Sequence, residues 1–347
     1  MVAASTQSSA KTMPIEVHSY NGAAFRGAVA ETQGRRASYE DAYAITSEGQ
    51  TAFFWVFDGH RGDCASRFVA TLFSSKEFSP TKNKLPSDKR IQRAFTTVDD
   101  RLRSFLCEGH SHNPGCNAGC TAVGAMVARN RDGTYAAKLV NCGDSRCVVI
   151  HAPEEDEMSA ATIQVKLPKS LETFRLAAET NWSKDSSWLP EWPAVVETID
   201  HKPSLWVERA RIVAAGGKVC GGRRARLDGN LAVSRSLGDF DFKDNAGRPA
   251  AEQKVSCLPD IYEVSGLPER TLLLLACDGL WDAISSEEAA QFVRERLRYD
   301  PPMELDEIAQ ELVSYSLEVK TGDNVTVLLV QLGSPIAEDS WSENSAA

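Results

Sequence analysis

The sequence predicts an α+β fold built in layers, and two observations carry that prediction. Apolar runs of strand length fall in clusters along the chain, and amphipathic helical stretches come in pairs between those clusters. A strictly alternating βαβ chain would interleave the two types one by one. The length of 347 residues suffices for one large domain with a sizeable core.

Taken in order, strands are expected at 25–30, 52–57, 121–128, 135–140, 146–150, 271–276 and 325–332. Each run is short, rich in β-formers and closed by Gly, Asp or Asn, as buried strands are. Ile91, Ala94, Phe95, Val98, Leu102 and Phe105 share one helical face. A second face gathers Leu305, Ile308, Ala309, Leu312 and Val313. Ser285 and Glu288 have the spacing of a capping box ahead of Ala289, Phe292, Val293 and Leu297. Ser204 is expected to cap a helix that stops at Gly216 and Gly217. The organisation that follows is a disordered segment over 1–20, one domain over 21–333 and a disordered acidic tail over 334–347. Within the domain, 152–197 reads as an insertion holding an acidic run and Trp182, Trp188 and Trp192. Packing of those tryptophans against the body is favoured over a partner-binding role.

With 48 acidic against 38 basic residues the formal charge is -10, which disfavours nucleic acid and anionic membrane as partners. No apolar run is long enough to cross a bilayer. Nine cysteines, scattered and mostly inside apolar runs, point to a reducing compartment, so an intracellular monomer in the cytoplasm or nucleus is expected. The opening Ser- and Ala-rich stretch lacks acids but also lacks Arg, and reads as a tail rather than a transit peptide.

Three strand runs begin or end on an aspartate: Asp58 after AFFWVF, Asp278 after TLLLLAC and Asp323 before NVTVLLV. If the last strand runs antiparallel to the others, all three carboxylates meet at one edge of a sheet, joined by Glu40 and Asp41. Converging ionised carboxylates at a core edge need a cation, and hard oxygen ligands select Mg²⁺ or Mn²⁺. Any one of these aspartates alone would be read as a turn cap.

The segments QGRRASYEDA, FFWVFDGH, GCTAV, NCGDSR, DHKPS, LAVSRSLGDFDFK, LLACDGLWD and GDNVTV follow one another over 33–332. In this order they resemble the metal-dependent serine/threonine phosphatases of the protein phosphatase 2C type. The resemblance implies a four-layer α-β-β-α sandwich, in which two antiparallel sheets pack face to face and helices cover both outer faces. It implies two metal ions: Asp58 bridges them, Glu40 and the Gly59 carbonyl hold one, and Asp278 and Asp323 hold the other. A weaker third ion would lie on Asp144, Asp282 and Asp278. The chemistry implied is attack by a metal-bridging hydroxide on phosphorylated protein substrates. Asp41 would hold metal-bound water, Arg36 would anchor the phosphate, and His60 would protonate the leaving oxygen. The complete ligand set argues against the alternative, a catalytically weak relative acting as a phosphoprotein-binding module.

Several signals compete with that reading. Arg35-Arg36-Ala37-Ser38 matches a basophilic kinase site, but the neighbouring Glu40 and Asp41 disfavour an added phosphate. Arg36 is better explained as a phosphate anchor, and Ser38 is expected on the strand that carries Glu40. A surface pair of Arg61 with Asp63 or a nearby carboxylate is favoured over its reaching the substrate phosphate or the residues that flank it. Cys107, His110, His112, Cys116 and Cys120 invite a zinc reading, but their spacing fits no paired pattern. Asp239 and Asp241 are expected to fix a loop beside the cleft rather than bind metal.

Overall fold

The computed structural model describes residues 14–81, 84–107, 117–150, 163–171, 194–222 and 224–333. Twelve strands form two six-stranded sheets. In chain order they are β1 (Glu16–Gly22), β2 (Phe25–Thr32), β3 (Ala42–Glu48), β4 (Thr51–Phe57), β5 (Ala122–Arg129) and β6 (Tyr135–Cys142). Then follow β7 (Arg146–Ile150), β8 (Gln164–Lys166), β9 (Ala194–Glu197), β10 (Asp260–Leu267), β11 (Leu272–Ala276) and β12 (Val325–Leu332). One sheet runs β1-β2-β12-β11-β7-β9 and the other β8-β10-β6-β5-β4-β3. Every neighbouring pair in both is antiparallel.

The central strands are apolar on both faces because both faces are covered. In β4, Ala52, Phe54 and Val56 point into the layer between the sheets, while Phe53, Trp55 and Phe57 point outward. Leu273 and Leu275 of β11 likewise meet the inter-sheet core, and Leu272, Leu274 and Ala276 face away from it. Helices α1 (Cys64–Phe73) and α2 (Asp88–Cys107) cover the outward face of β4 and its neighbours. Helices α4 (Asp278–Trp281), α5 (Ser286–Leu297) and α6 (Leu305–Glu318) cover the other sheet, whereas α3 (Trp206–Ala214) lies beside a smaller cluster around Ile212 and Leu227. The result is the four-layer α-β-β-α sandwich that the resemblance implied.

Several details differ from the sequence reading. Strand β1 starts at Glu16 and pairs along its length with β2, so 16–20 belong to the sheet rather than to a tail. Strands β8 and β9 lie inside the expected insertion over 152–197 and close the edges of opposite sheets, so parts of that segment belong to the sandwich. The three tryptophans and His110, His112 and Cys116 lie outside the described residues. Helix α3 starts after Leu205, with no side-chain cap from Ser204. Phe105 is exposed and stacks on Phe68 instead of entering the core. The Ser285–Glu288 capping box forms as expected.

Within one sheet, Trp55 of β4 lies directly opposite Gly124 of β5, and its ring covers this glycine so closely that an added Cβ would lie 2.2 Å from it. Trp55 is fully buried and has nowhere to move. Gly124→Ala should therefore lower stability by about 1–3 kcal/mol, read as a shift in denaturant midpoint. An unchanged midpoint would contradict this packing.

Candidate active site

The acidic groups gather at one end of the sandwich, where both sheets deliver chain, rather than along the edge of a single sheet. Asp58 follows β4, Asp144 sits in the turn between β6 and β7, Asp278 opens α4 directly after β11, and Asp323 precedes β12. Carboxylate oxygens of Asp58, Asp144 and Asp278 lie within 4.8 Å of one another. Glu40, Asp323 and Asp282 stand outside this trio, Glu40 and Asp323 with side-chain partners of their own.

Glu40 and Ser38 lie in the loop before β3, not on a strand. The Glu40 carboxylate accepts from the Ser38 hydroxyl at 2.6 Å and from the Gly62 N–H at 3.0 Å. Its backbone is pinned as well: the Glu40 N–H donates to Asn324 Oδ1, and the Asn324 amide donates to the carbonyls of Gln33 and Ser38. Asn324 thus fastens the 33–40 loop to the start of β12. At Gly59 an added Cβ would lie 2.3 Å from the Glu40 carbonyl oxygen, so only glycine lets these two segments meet. Arg36 donates to Asp323 Oδ2 at 2.6 Å, joining the expected phosphate anchor to an expected metal ligand. Arg61 takes a positive φ of 60° and donates to the Asn117 carbonyl, whereas Asp63 pairs with Arg67. Asp282 caps the end of α4 on the exposed side.

Asp41 is buried beneath this surface and accepts from Thr326 Oγ1 at 2.7 Å. That hydroxyl also meets Tyr39, whose phenol donates to Glu31. Asp144 receives Lys202 Nζ at 2.5 Å. Burial opposes the charge on this amine, but Asp144 and then Asp278 and Asp282 outweigh it and raise its pKa. His201, next to Lys202, exchanges backbone bonds with the same turn: its N–H donates to the Gly143 carbonyl, and its Nδ1 accepts from the Gly143 N–H. With Nδ1 accepting, the ring proton sits on Nε2 and is donated to Asp260 at 3.2 Å. The sequence reading treated DHKPS as a family segment only and missed that Lys202 supplies a cation to the carboxylate cluster. A lysine so near in sequence to a buried histidine and aspartate gave little signal by itself.

His60 sits in a small three-stranded sheet of Gly59–His60, Gly119–Cys120 and Leu237–Gly238. Its Nε2 lies 2.7 and 2.9 Å from the two oxygens of Asp239. Burial lowers the His60 pKa, but the Asp239 carboxylate outweighs it and the net direction is up. Asp239 therefore has a specific partner in the cleft.

Protein-family comparison decides the class. The family model described as protein phosphatase 2C matches residues 19–183 and 195–325. The chain belongs to the protein phosphatase 2C family. It is 28% identical to probable protein phosphatase 2C 21 of Arabidopsis thaliana, over 92% of this chain and 90% of that one. It is 30% identical to protein phosphatase 1B of Mus musculus, over 91% of this chain and 73% of the relative. A solved phosphatase from a pathogenic strain of Toxoplasma gondii superposes with a TM-score of 0.71 at 22% identity, covering 92% and 95% of the two chains. A C. elegans sex determining protein gives a TM-score of 0.62 at 20% identity, covering 94% of this chain and 66% of that one. As a member of this family the protein is a metal-dependent serine/threonine phosphatase.

The acidic end of this phosphatase 2C fits a divalent cation. Burial raises the Asp58 and Asp278 carboxyls well above the usual range, and mutual repulsion among Asp58, Asp144, Asp278 and Asp323 adds to it. Such a set resists full ionisation until a cation joins it. Among the described residues, no helix is long and apolar enough to cross a membrane.

Asp41 offers a test of the same physics. Burial pushes its carboxyl from 3.8 up to about 7, against the lowering bonds from Thr326 and Cys277. A folded-state pKa above the unfolded one means stability is lost as pH rises between the two values. In excess chelator, Asp41→Asn should be the more stable protein at pH 7–8, by on the order of a few kcal/mol, with the advantage fading towards pH 4. Thermal unfolding across that range checks it, and a pH-independent difference would contradict it.

Proposed function

We propose that this phosphatase 2C hydrolyses phosphoserine and phosphothreonine in proteins, using Mg²⁺ or Mn²⁺ held at the acidic end of the sandwich. The observation that carries the reading is the convergence of Asp58, Asp144 and Asp278 within 4.8 Å of one another, beside Arg36 and His60. Asp58, Asp278 and Glu40, with the Gly59 carbonyl and Asp323, are the groups that would hold two ions; Asp144 and Asp282 would serve a third. When bound, the ions activate water and neutralise phosphoryl charge.

The chain's own side chains supply the rest. Arg36 engages Asp323 through one terminal nitrogen, and its guanidinium carries further donors able to grip two phosphoryl oxygens side by side. Asp41, buried and held by Thr326, orients the attacking water. His60 protonates the seryl or threonyl oxygen, which is otherwise a very poor leaving group. Lys202 holds Asp144 and lowers the cost of packing that carboxylate among the others.

Phosphate release from matched phosphoserine, phosphothreonine and phosphotyrosine peptides, with Mn²⁺ and with chelator, tests the reaction. Release from the first two that depends on the metal is expected, and release that persists in chelator would reject it. His60→Ala should lose roughly 10²- to 10⁴-fold on a phosphothreonine peptide and far less on p-nitrophenyl phosphate, whose leaving group needs no proton. Arg36→Ala should lose similar factors on both substrates, because the phosphoryl group it grips is common to them. Equal losses for His60→Ala would remove it as proton donor.

A further inference from the structure

We propose that Asp239 is the positioning residue for His60, and that the proton reaches the leaving oxygen from His60 Nδ1 because Asp239 holds Nε2. This rests on the proton-donor role proposed for His60. The arrangement is built from three segments far apart in sequence. In the small sheet, Gly119 pairs with His60 on one side and with Gly238 on the other. The side chains of His60 and Asp239 reach towards each other over this glycine: an added Cβ at Gly119 would lie 2.3 Å from Asp239 Oδ2 and 2.7 Å from His60 Nε2. The absence of a side chain at 119 is what leaves room for the pair.

Asp239 is itself tightly fixed. It has no exposure to solvent and takes the left-handed backbone conformation, with φ 53°. Its Oδ2 accepts from Ser236 Oγ at 2.6 Å. The surrounding loop is tied to α2: Lys243 Nζ donates to both Asp99 oxygens and to the Ser236 carbonyl, and the Gly238 N–H donates to Asp99 Oδ1. All these groups are buried. A carboxylate held this firmly can fix a ring that would otherwise rotate about its side-chain bonds, as the carboxylate partners of catalytic and metal-bound imidazoles do.

The atom balance is simple. With Nε2–H donated to Asp239, the ring proton on Nδ1 is the one free to move. As the P–O bond to the seryl or threonyl oxygen breaks, its electron pair stays on that oxygen and the Nδ1 proton is transferred to it. The imidazole is left neutral, with Nε2–H still on Asp239, and regains its Nδ1 proton from solvent.

The test measures Mn²⁺-supported turnover by the full chain on a phosphothreonine peptide and on p-nitrophenyl phosphate. Asn is nearly isosteric with Asp and is among the residues that tolerate a left-handed backbone, so Asp239→Asn should fold. It should lose roughly 10²-fold on the peptide and less than tenfold on the aryl ester. Combined with His60→Ala it should cost nothing beyond His60→Ala alone, since both changes remove one device. Gly119→Ala, which wedges a methyl group between the two side chains without altering either, should show the same split, and near-ultraviolet dichroism checks that each variant is folded. Equal losses on both substrates for Asp239→Asn, or losses that multiply in the double variant, would overturn the proposal. If His60→Ala alone loses equally on both substrates, the proton-donor reading falls and this proposal with it; if only Asp239→Asn does, the pairing alone is wrong.

Discussion

Burying several carboxylates at one end of a β-sandwich is the constraint on which the rest of this structure depends. Asp41, Asp58 and Asp278 are brought together, with Asp144 beside them, by strand ends from both sheets, and there desolvation first and repulsion from neighbouring carboxylates raise the pKa values of Asp41, Asp58 and Asp278. The fold tolerates this because the central strands are apolar on both faces, one face packed on the opposite sheet and the other covered by helices. A stable core thus absorbs the strain of an unfavourable acidic mouth. The same unfavourable charge makes the mouth receptive to divalent cations and, once they bind, to phosphate.

Positive groups are distributed around that mouth with distinct tasks. Lys202 touches Asp144 of the central trio and Arg36 touches Asp323 outside it, while the pair His60–Asp239 stands to one side. Arg36 is more than half exposed, at 57% of its side chain, whereas Asp239 is wholly buried. The first can swing to a substrate; the second can only hold its partner. Further out, Arg235 bonds Glu208 and Asp260, and Glu208 also bonds Arg211, forming a buried network that supports α3 and the loops carrying His201 and Ser234.

Much of this was legible in the sequence where a residue's chemistry and its local pattern agreed. The run AFFWVF followed by Asp58, and TLLLLAC followed by Asp278, declare both a buried strand and a carboxylate at its end. The doubly apolar runs correctly gave the core strands, and Ser285 with Glu288 gave a true cap. What the sequence concealed were contacts made across large separations. His60 and Asp239 are 179 positions apart, and only the pairing of 59–60, 119–120 and 237–238 in one small sheet joins them. Strand β1, with its mixed polar surface, offered no apolar run to mark it, because it lies at a sheet edge with one side open. Ser38 and Glu40 lay in a loop that Asn324, nearly three hundred residues later, holds in place.

The central claim is that the acidic end of the sandwich holds divalent ions through Asp58. Calorimetric titration of Mn²⁺ into the metal-free protein and into Asp58→Ala tests it most directly, because it reads binding without any substrate. The account expects two ions to bind the wild type, and the variant to lose at least one of them together with the rise in melting temperature that Mn²⁺ gives the wild type. Binding of the same number of ions, with the same affinity and the same thermal stabilisation, in Asp58→Ala would contradict it.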